Sequence, residues 1–181
     1  MTAAVPASLD EKLQLIAEFE QRRRTTVLTR LLNRIGPTRA FAAVYRRLGP
    51  AVDPWLMHKT DGKVISRWYG FPFLLLTTTG AKSGQQRVQP LLYIRDGRDF
   101  AIVGTNFGQK HHPAWTANLL AHPQGEVEVG PVRLAVTAEL ADADTWQRLW
   151  PSFAAVYPGY PSYLSRTGGR KPRMFVLHPL G

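Results

Sequence analysis

The chain contains no cysteine, which excludes disulfides, thiolate catalysis and cysteine-ligated zinc or iron–sulfur centres. It has no run of about 18 apolar residues, so nothing in it reads as a membrane-spanning helix. Met1 to Pro6 lack the basic and apolar regions of a secretory signal, and the expected compartment is the cytoplasm. Acids are missing from long windows: none lies between Gln21 and Val52, from Gly62 to Arg95, or from Phe100 to Gly125. Several catalytic motifs are missing too. The stretch Phe73 to Gly130 holds no Gly-x-Ser-x-Gly elbow and no His-Glu-x-x-His, which leaves hydrolase and metalloenzyme chemistry with little support.

What is present is basic. The formal charge is +10 over 181 residues, a length that fits one domain with a sizeable core. Eight arginines (22, 23, 24, 30, 34, 39, 46 and 47) fill the acid-free window before Val52. Such a balance suits an acidic partner, whether nucleic acid, an anionic membrane surface or a polyanionic small molecule, and equally a solvated basic face. No nucleic-acid-binding signature accompanies the arginines, so nucleic acid is not an expected partner.

In chain order, residues 1–8 read as loosely attached. Leu9, Leu13, Ile16 and Phe19 recur at helical spacing behind the acidic turn of Asp10 and Glu11. Further amphipathic helices are expected over Val27–Ile35 and Phe41–Leu48, with arginine-rich faces that either cover a barrel or lie on anionic lipid. Short strands are expected near Lys63–Arg67. Phe73–Thr79, Arg87–Arg95 and Phe100–Thr105 read as strands, with Asp96-Gly97 as a hairpin turn between the last two. Pro113 sits at the first turn of a helix carrying Trp115 and Leu119. Glu126–Gly130 and Val132–Leu140 form another strand pair. A helix follows from an Asp142 N-cap to Val156, then a tyrosine-rich, proline-broken segment and a last strand over Arg173–His178. Strands in hairpins with helices at their ends predict an α+β fold around a small antiparallel barrel.

Two glycine-bearing loops, each with a lysine and each after a strand, are the candidate site. Gly80-Ala81-Lys82-Ser83-Gly84 lacks the glycine spacing of a P-loop. With Arg87 and with Lys110 of the second loop it can hold phosphates through charge-assisted bonds and backbone N–H groups. Gly80, Gly84 and Gly108 are expected where the backbone approaches a ligand. Trp115 and Asn118 share a helix face and can contact a ring and its polar edge, although the spacing of Trp115 suits core packing better. His111 and His112 are adjacent and make a poor metal pair; no metal site is expected. Tyr157, Tyr160 and Tyr163 recur every third residue and read either as surface aromatics or as a wall against an apolar aromatic substrate. A site without nucleophile or acid suits hydride transfer, in which a cofactor carries the chemistry.

The segments Leu75–Arg87, Pro90-Leu91-Leu92-Tyr93 and His112-Pro113-Ala114-Trp115-Thr116-Ala117-Asn118-Leu119 resemble the deazaflavin-dependent nitroreductase family of actinobacteria, over roughly Phe71 to Pro179. The resemblance implies a split β-barrel that uses coenzyme F420, a deazaflavin with a phosphate and an acidic tail, to reduce quinones or nitroaromatics. It implies that Lys82, Ser83 and Arg87 contact the phosphate and tail. It places Thr105, Asn106 and Gly108 beside the ring, Trp115 and Asn118 in support of ring and ribityl chain, and Tyr157, Tyr160 and Tyr163 on the catalytic acceptor side. Gly80, Gly84, Pro90, Lys110 and His112 complete the expected cofactor-binding set. Ala81 stands where the family commonly has a basic residue, and Phe107 and Gln109 also depart from its pattern. The expected organisation is a helical extension over residues 1–70, packed on the barrel or on a membrane surface, and a barrel domain over 71–181. Two rival readings remain: an FMN-binding barrel of the same fold, and a non-catalytic carrier of cofactor or lipid.

Overall fold

The computed structural model describes residues 8–22 and 71–181. Six strands, β1 (Phe73–Thr79), β2 (Gln86–Asp96), β3 (Asp99–Val103), β4 (Gln124–Val129), β5 (Val132–Leu140) and β6 (Met174–Pro179), close into an antiparallel barrel in the order β1-β2-β3-β6-β5-β4. The helices among the described residues are α1 (Leu9–Gln21), α2 (Ala114–Ala121), α3 (Ala143–Val156) and α4 (Tyr160–Leu164). The fold is the expected α+β split barrel. The helices expected over Val27–Ile35 and Phe41–Leu48, and the strands near Lys63, lie outside the described residues.

Period-two alternation divides β1, β2, β3 and β6 between two cores, while β4 and β5 feed the inner one alone. Leu74, Leu76, Phe100, Ile102, Val127, Val136, Phe175 and Leu177 fill the barrel. Ala101, Val103, Met174 and Val176 face outward and are covered by Leu149 and Phe153 of α3 and by the three tyrosines. α1 closes the barrel over β5, burying Leu13 and Ile16 in the inner core. Ser8, which reads from sequence as part of a loose leader, caps this helix: its Oγ accepts from the Glu11 N–H while the Glu11 carboxylate accepts from the Ser8 N–H. Such a box satisfies two otherwise orphaned donors and fixes where the helix begins. The Tyr93 hydroxyl donates to the Glu20 carboxylate and ties the far end of α1 to β2.

Strand β2 is shared between two partners. Gln86 to Leu92 pairs with β1, and Tyr93 to Asp96 pairs with β3. Along Gln86–Leu92 the edge away from β1 therefore has no partner strand among the described residues, and the barrel is split there. The Tyr93 N–H donates to the Pro72 carbonyl at 3.0 Å, so alternate amides of β2 turn toward β1. Pro90, opposite Leu75, then occupies a pair that exchanges no ladder bonds. Its missing N–H faces the split edge and interrupts nothing.

Two boundaries differ from expectation by two residues. β3 ends at Val103, not Thr105, because Asn106 (φ 49°), Phe107 (φ 53°) and Gly108 (φ 78°) are left-handed in succession. β4 starts at Gln124, two residues earlier than Glu126. Asp142 is the N-cap of α3, its Oδ1 accepting from the Thr145 N–H at 2.8 Å.

Candidate functional site

The first loop is the β1–β2 connection, residues 80–85. Its ends are stapled by the Gly80 N–H donating to the Gln85 carbonyl and the Gly84 N–H donating to the Gly80 carbonyl, both at 2.8 Å. Asn118 of α2 reaches across to it. The Asn118 Nδ2 donates to Thr78 Oγ1 and its Oδ1 accepts from the Ala81 N–H, both at 3.0 Å. Lys82, Ser83 and Arg87 stay exposed around this staple. Arg87 donates to Gln85 Oε1 at 3.0 Å. Neither Lys82 nor Arg87 forms an ion pair with a described residue.

Contacts and conformation within the protein already require glycine at positions 80, 84 and 108. A Cβ on Gly80 would lie 2.5 Å from Ser83 Oγ, and one on Gly108 would lie 2.8 Å from the Tyr163 carbonyl. Both are crowded by the protein itself. Gly84 has open space but a φ of +66°, so conformation selects it.

The second loop runs from Gly104 to Pro113, and one arginine organises it. The Arg170 guanidinium donates to the carbonyls of Gly104 (3.1 Å), Thr105 (2.8 Å) and Gln109 (2.9 and 3.1 Å), and to His112 Nδ1 (3.3 Å). Sequence reasoning missed Arg170 because its partners are main-chain carbonyls and a histidine 58–66 positions away; its only local signal is its place after Gly168-Gly169. Inside the loop, Asn106 Nδ2 donates to the His111 carbonyl at 3.1 Å. Lys110 is exposed, with its aliphatic stem against Gly168. His112 has its pKa pushed below the ordinary histidine value, first by burial and then by the positive charges of Arg173 and Arg170. It is neutral at physiological pH. Among the described residues no three His, Asp or Glu side chains are grouped to hold a metal ion.

α2 links the two loops. Its first turn packs Thr116 against Gly104, and two residues later Asn118 holds residue 81. Trp115 does not open toward a ligand. It is 2% exposed in the inner core, its ring 5.8 Å from that of Phe175. Asn118 likewise has both ends of its amide bonded to the protein. The expected contacts of these two residues to a ring and its polar edge are thus replaced by support: Trp115 anchors the helix that Asn118 uses to hold the loop.

The three tyrosines come together. Tyr157, Tyr160 and Tyr163 are all buried, with ring centroids 5.3–6.1 Å apart. The hydroxyls of Tyr157 and Tyr163 share a hydrogen bond of 3.0 Å. Phe107, at the tip of the left-handed turn, packs edge-on against Tyr163 at 5.9 Å, which joins the wall to the second loop. The proline-broken segment is more regular than expected, since Tyr160–Leu164 makes a short helix with Pro161 in its first turn. Burial raises the hydroxyl pKa of all three above the ordinary tyrosine value, so all three are neutral hydrogen-bond donors in the physiological range. No hydrogen bond to the Tyr160 hydroxyl occurs among the described residues.

The arrangement joins an anion-binding half to an aromatic half. Lys82 and Lys110 on the two loops and Arg87 at the start of β2 are exposed cations with no carboxylate in ion-pair reach among the described residues, and the tyrosine wall abuts the second loop. Such a donor set fits a cofactor with a phosphate and an acidic tail on one side of an apolar ring.

Comparison with known proteins agrees with this geometry. Residues 52–179 match the family described as F420H(2)-dependent quinone reductase. An F420H(2)-dependent quinone reductase of Mycobacterium tuberculosis is 40% identical over 114 residues, covering 59% of this chain and 76% of that protein. The solved structure of an F420-H2-dependent reductase superimposes with a TM-score of 0.55 at 32% identity, over 59% of this chain and 94% of the other. A second structure, described as a domain-swapped dimer, gives a TM-score of 0.55 at 28% identity over 71% of this chain and all of the other. The matched span takes in both loops, the helix that joins them, the tyrosine wall and the closing strand, and on that ground the chain belongs to the F420H(2)-dependent quinone reductase family.

Proposed function

We propose that this protein transfers hydride from reduced coenzyme F420 to a quinone-type acceptor in the cleft between its two loops. The observation that carries the reading is the set of exposed cations, Lys82 and Lys110 on the two loops and Arg87 at the start of β2, without carboxylate partners among the described residues. The bound coenzyme supplies the chemistry of hydride donation. Lys82, Ser83 and Arg87 bind its phosphate and acidic tail, and the Thr105-Asn106-Phe107-Gly108 turn lies beside the ring. Tyr157, Tyr160 and Tyr163 form the acceptor side. The Tyr157–Tyr163 pair is mutually satisfied, which leaves the Tyr160 hydroxyl to hydrogen-bond an acceptor oxygen as charge builds on it. The apolar wall keeps water from the reacting faces.

The same reading makes residues 71–181 the catalytic barrel and residues 1–70 an extension whose arginines meet an anionic membrane surface on the cytoplasmic side, where lipid-soluble quinones reside. Family membership supports the reaction class, and the acid-free arginine run supports the membrane role.

A titration of the purified chain with F420 and with FMN, followed by menadione added to the reduced complex, tests the reading. Selective F420 binding and oxidation on addition of menadione is the expected result. Preferential FMN binding overturns the cofactor, and F420 binding without oxidation leaves a carrier.

A further inference from the structure

We propose that Arg170 is a positioning residue for this reaction, a clamp that holds the left-handed turn Asn106-Phe107-Gly108 against the tyrosine wall and fixes His112 as its Nε2–H tautomer. The inference rests on the proposed reading of the second loop as one side of the cofactor cleft.

A guanidinium has five N–H donors and no acceptor. In Arg170 all five are matched: Nε to Gln109 O, one Nη to Gly104 O and His112 Nδ1, the other to Thr105 O and Gln109 O. No acid is among these partners. Because Arg170 can only donate, His112 Nδ1 must accept, and the ring proton then sits on Nε2. The charged groups acting on that ring are Arg170 and Arg173, with Lys110 and His111 preceding it on the same loop.

The turn needs a clamp. Phe107 is a bulky residue at φ 53° beside Asn106 at φ 49°, a conformation that non-glycine residues hold only when the surroundings impose it. Arg170 grips the carbonyls on both sides of the turn, at Thr105 before it and Gln109 after it, while Tyr163 closes its far side. A lysine at 170 would keep the charge but has three donors on one atom and cannot span both sides.

The test uses the full chain with 15N-labelled histidine, as wild type, Arg170→Lys and Arg170→Ala. Side-chain 1H–15N correlation reads the tautomer and titration of His112, and F420 binding is measured on the same samples, with and without added guanidinium. We expect the Nε2–H tautomer in the wild type and a His112 titration shifted upward in both variants. Coenzyme affinity should fall by about tenfold or more, the scale of lost charge-assisted hydrogen bonds, and guanidinium should restore part of it in Arg170→Ala. A wild-type Nδ1–H tautomer overturns the proposal even if neither variant folds. So does an Arg170→Lys protein with unchanged His112 titration and affinity. A wild-type chain that binds no F420 overturns the functional reading and with it the reaction role of Arg170, whereas the histidine spectra judge the clamp separately.

Discussion

Asn118 donates its side-chain N–H to the Thr78 hydroxyl at 3.0 Å across 40 residues of sequence, inside the protein. The other end of the same amide holds the Ala81 N–H. One side chain therefore fixes both the end of β1 and the start of the lysine-bearing loop.

Replacing Asn118 with Ala strands a buried hydroxyl and a loop N–H. The expected loss is about 1–3 kcal/mol of folding free energy, the penalty for unsatisfied buried polar groups, read by denaturant unfolding. Coenzyme affinity should fall with it, because residues 81–83 lose their anchor. Wild-type stability in Asn118→Ala would show that the loop holds itself through the Gly80–Gln85 staple alone.

Lys82→Ala and Arg87→Ala remove exposed cations and should leave the unfolding midpoint unchanged. Each should weaken F420 binding by roughly tenfold, and the salt dependence of binding should become shallower than in the wild type, since one contact to an anion is gone. Normal binding by both variants would place the phosphate elsewhere.

The tyrosines divide by their hydrogen bonds. Tyr160→Phe removes a hydroxyl without a described partner, so turnover should drop while F420 affinity and stability hold. Tyr157→Phe and Tyr163→Phe each remove the 3.0 Å contact between the two hydroxyls, at about 1 kcal/mol apiece. The double Phe variant should be more stable than the sum of the single losses implies. Additive losses would mean that the 3.0 Å contact carries no energy.

His112 gives the pH dependence. Its folded pKa lies below the ordinary 6.5 because burial and then the charges of Arg173 and Arg170 disfavour the imidazolium. The unfolded chain therefore takes up this proton first as pH falls. The contribution of the neutral ring is fully present above 6.5 and is lost as pH drops from there through the folded value. Unfolding midpoints of wild type and His112→Gln measured from pH 8 to pH 5 should converge on acidification. A constant difference would remove His112 from the account.

Much of the barrel was legible because local and global preferences agree. The run Phe73–Thr79 is β-branched and apolar, and it forms a strand with those bounds. Asp96-Gly97 marks a hairpin whose strands pair up to Asp96 and Asp99, and Asp142 caps α3. Ser8 was misread because a capping box is four residues long and lay where the apolar pattern had not begun. Thr105 was read as strand because its neighbours look extended, whereas tertiary contacts from Arg170 and Tyr163 impose the left-handed turn. Arg170 left almost no local signal, and where residues were visible as a motif their tasks were not. Trp115 and Asn118 share a face, and spacing alone cannot say whether that face meets a ligand or the protein.

The way Arg170 is held has an electrostatic consequence. A guanidinium drawn partly out of water is commonly paired with a carboxylate, but here backbone carbonyl dipoles satisfy the hydrogen bonds of the half-buried Arg170 and contribute no net charge. The loop is thus ordered without importing a negative charge, and the guanidinium keeps its full positive charge beside it. A polyanionic ligand approaching from solvent is then drawn in with no repulsive site to pass, so capture should be fast at low ionic strength and slow steeply as salt screens it. A carboxylate clamp of equal strength would have held the loop as well and made that approach slower.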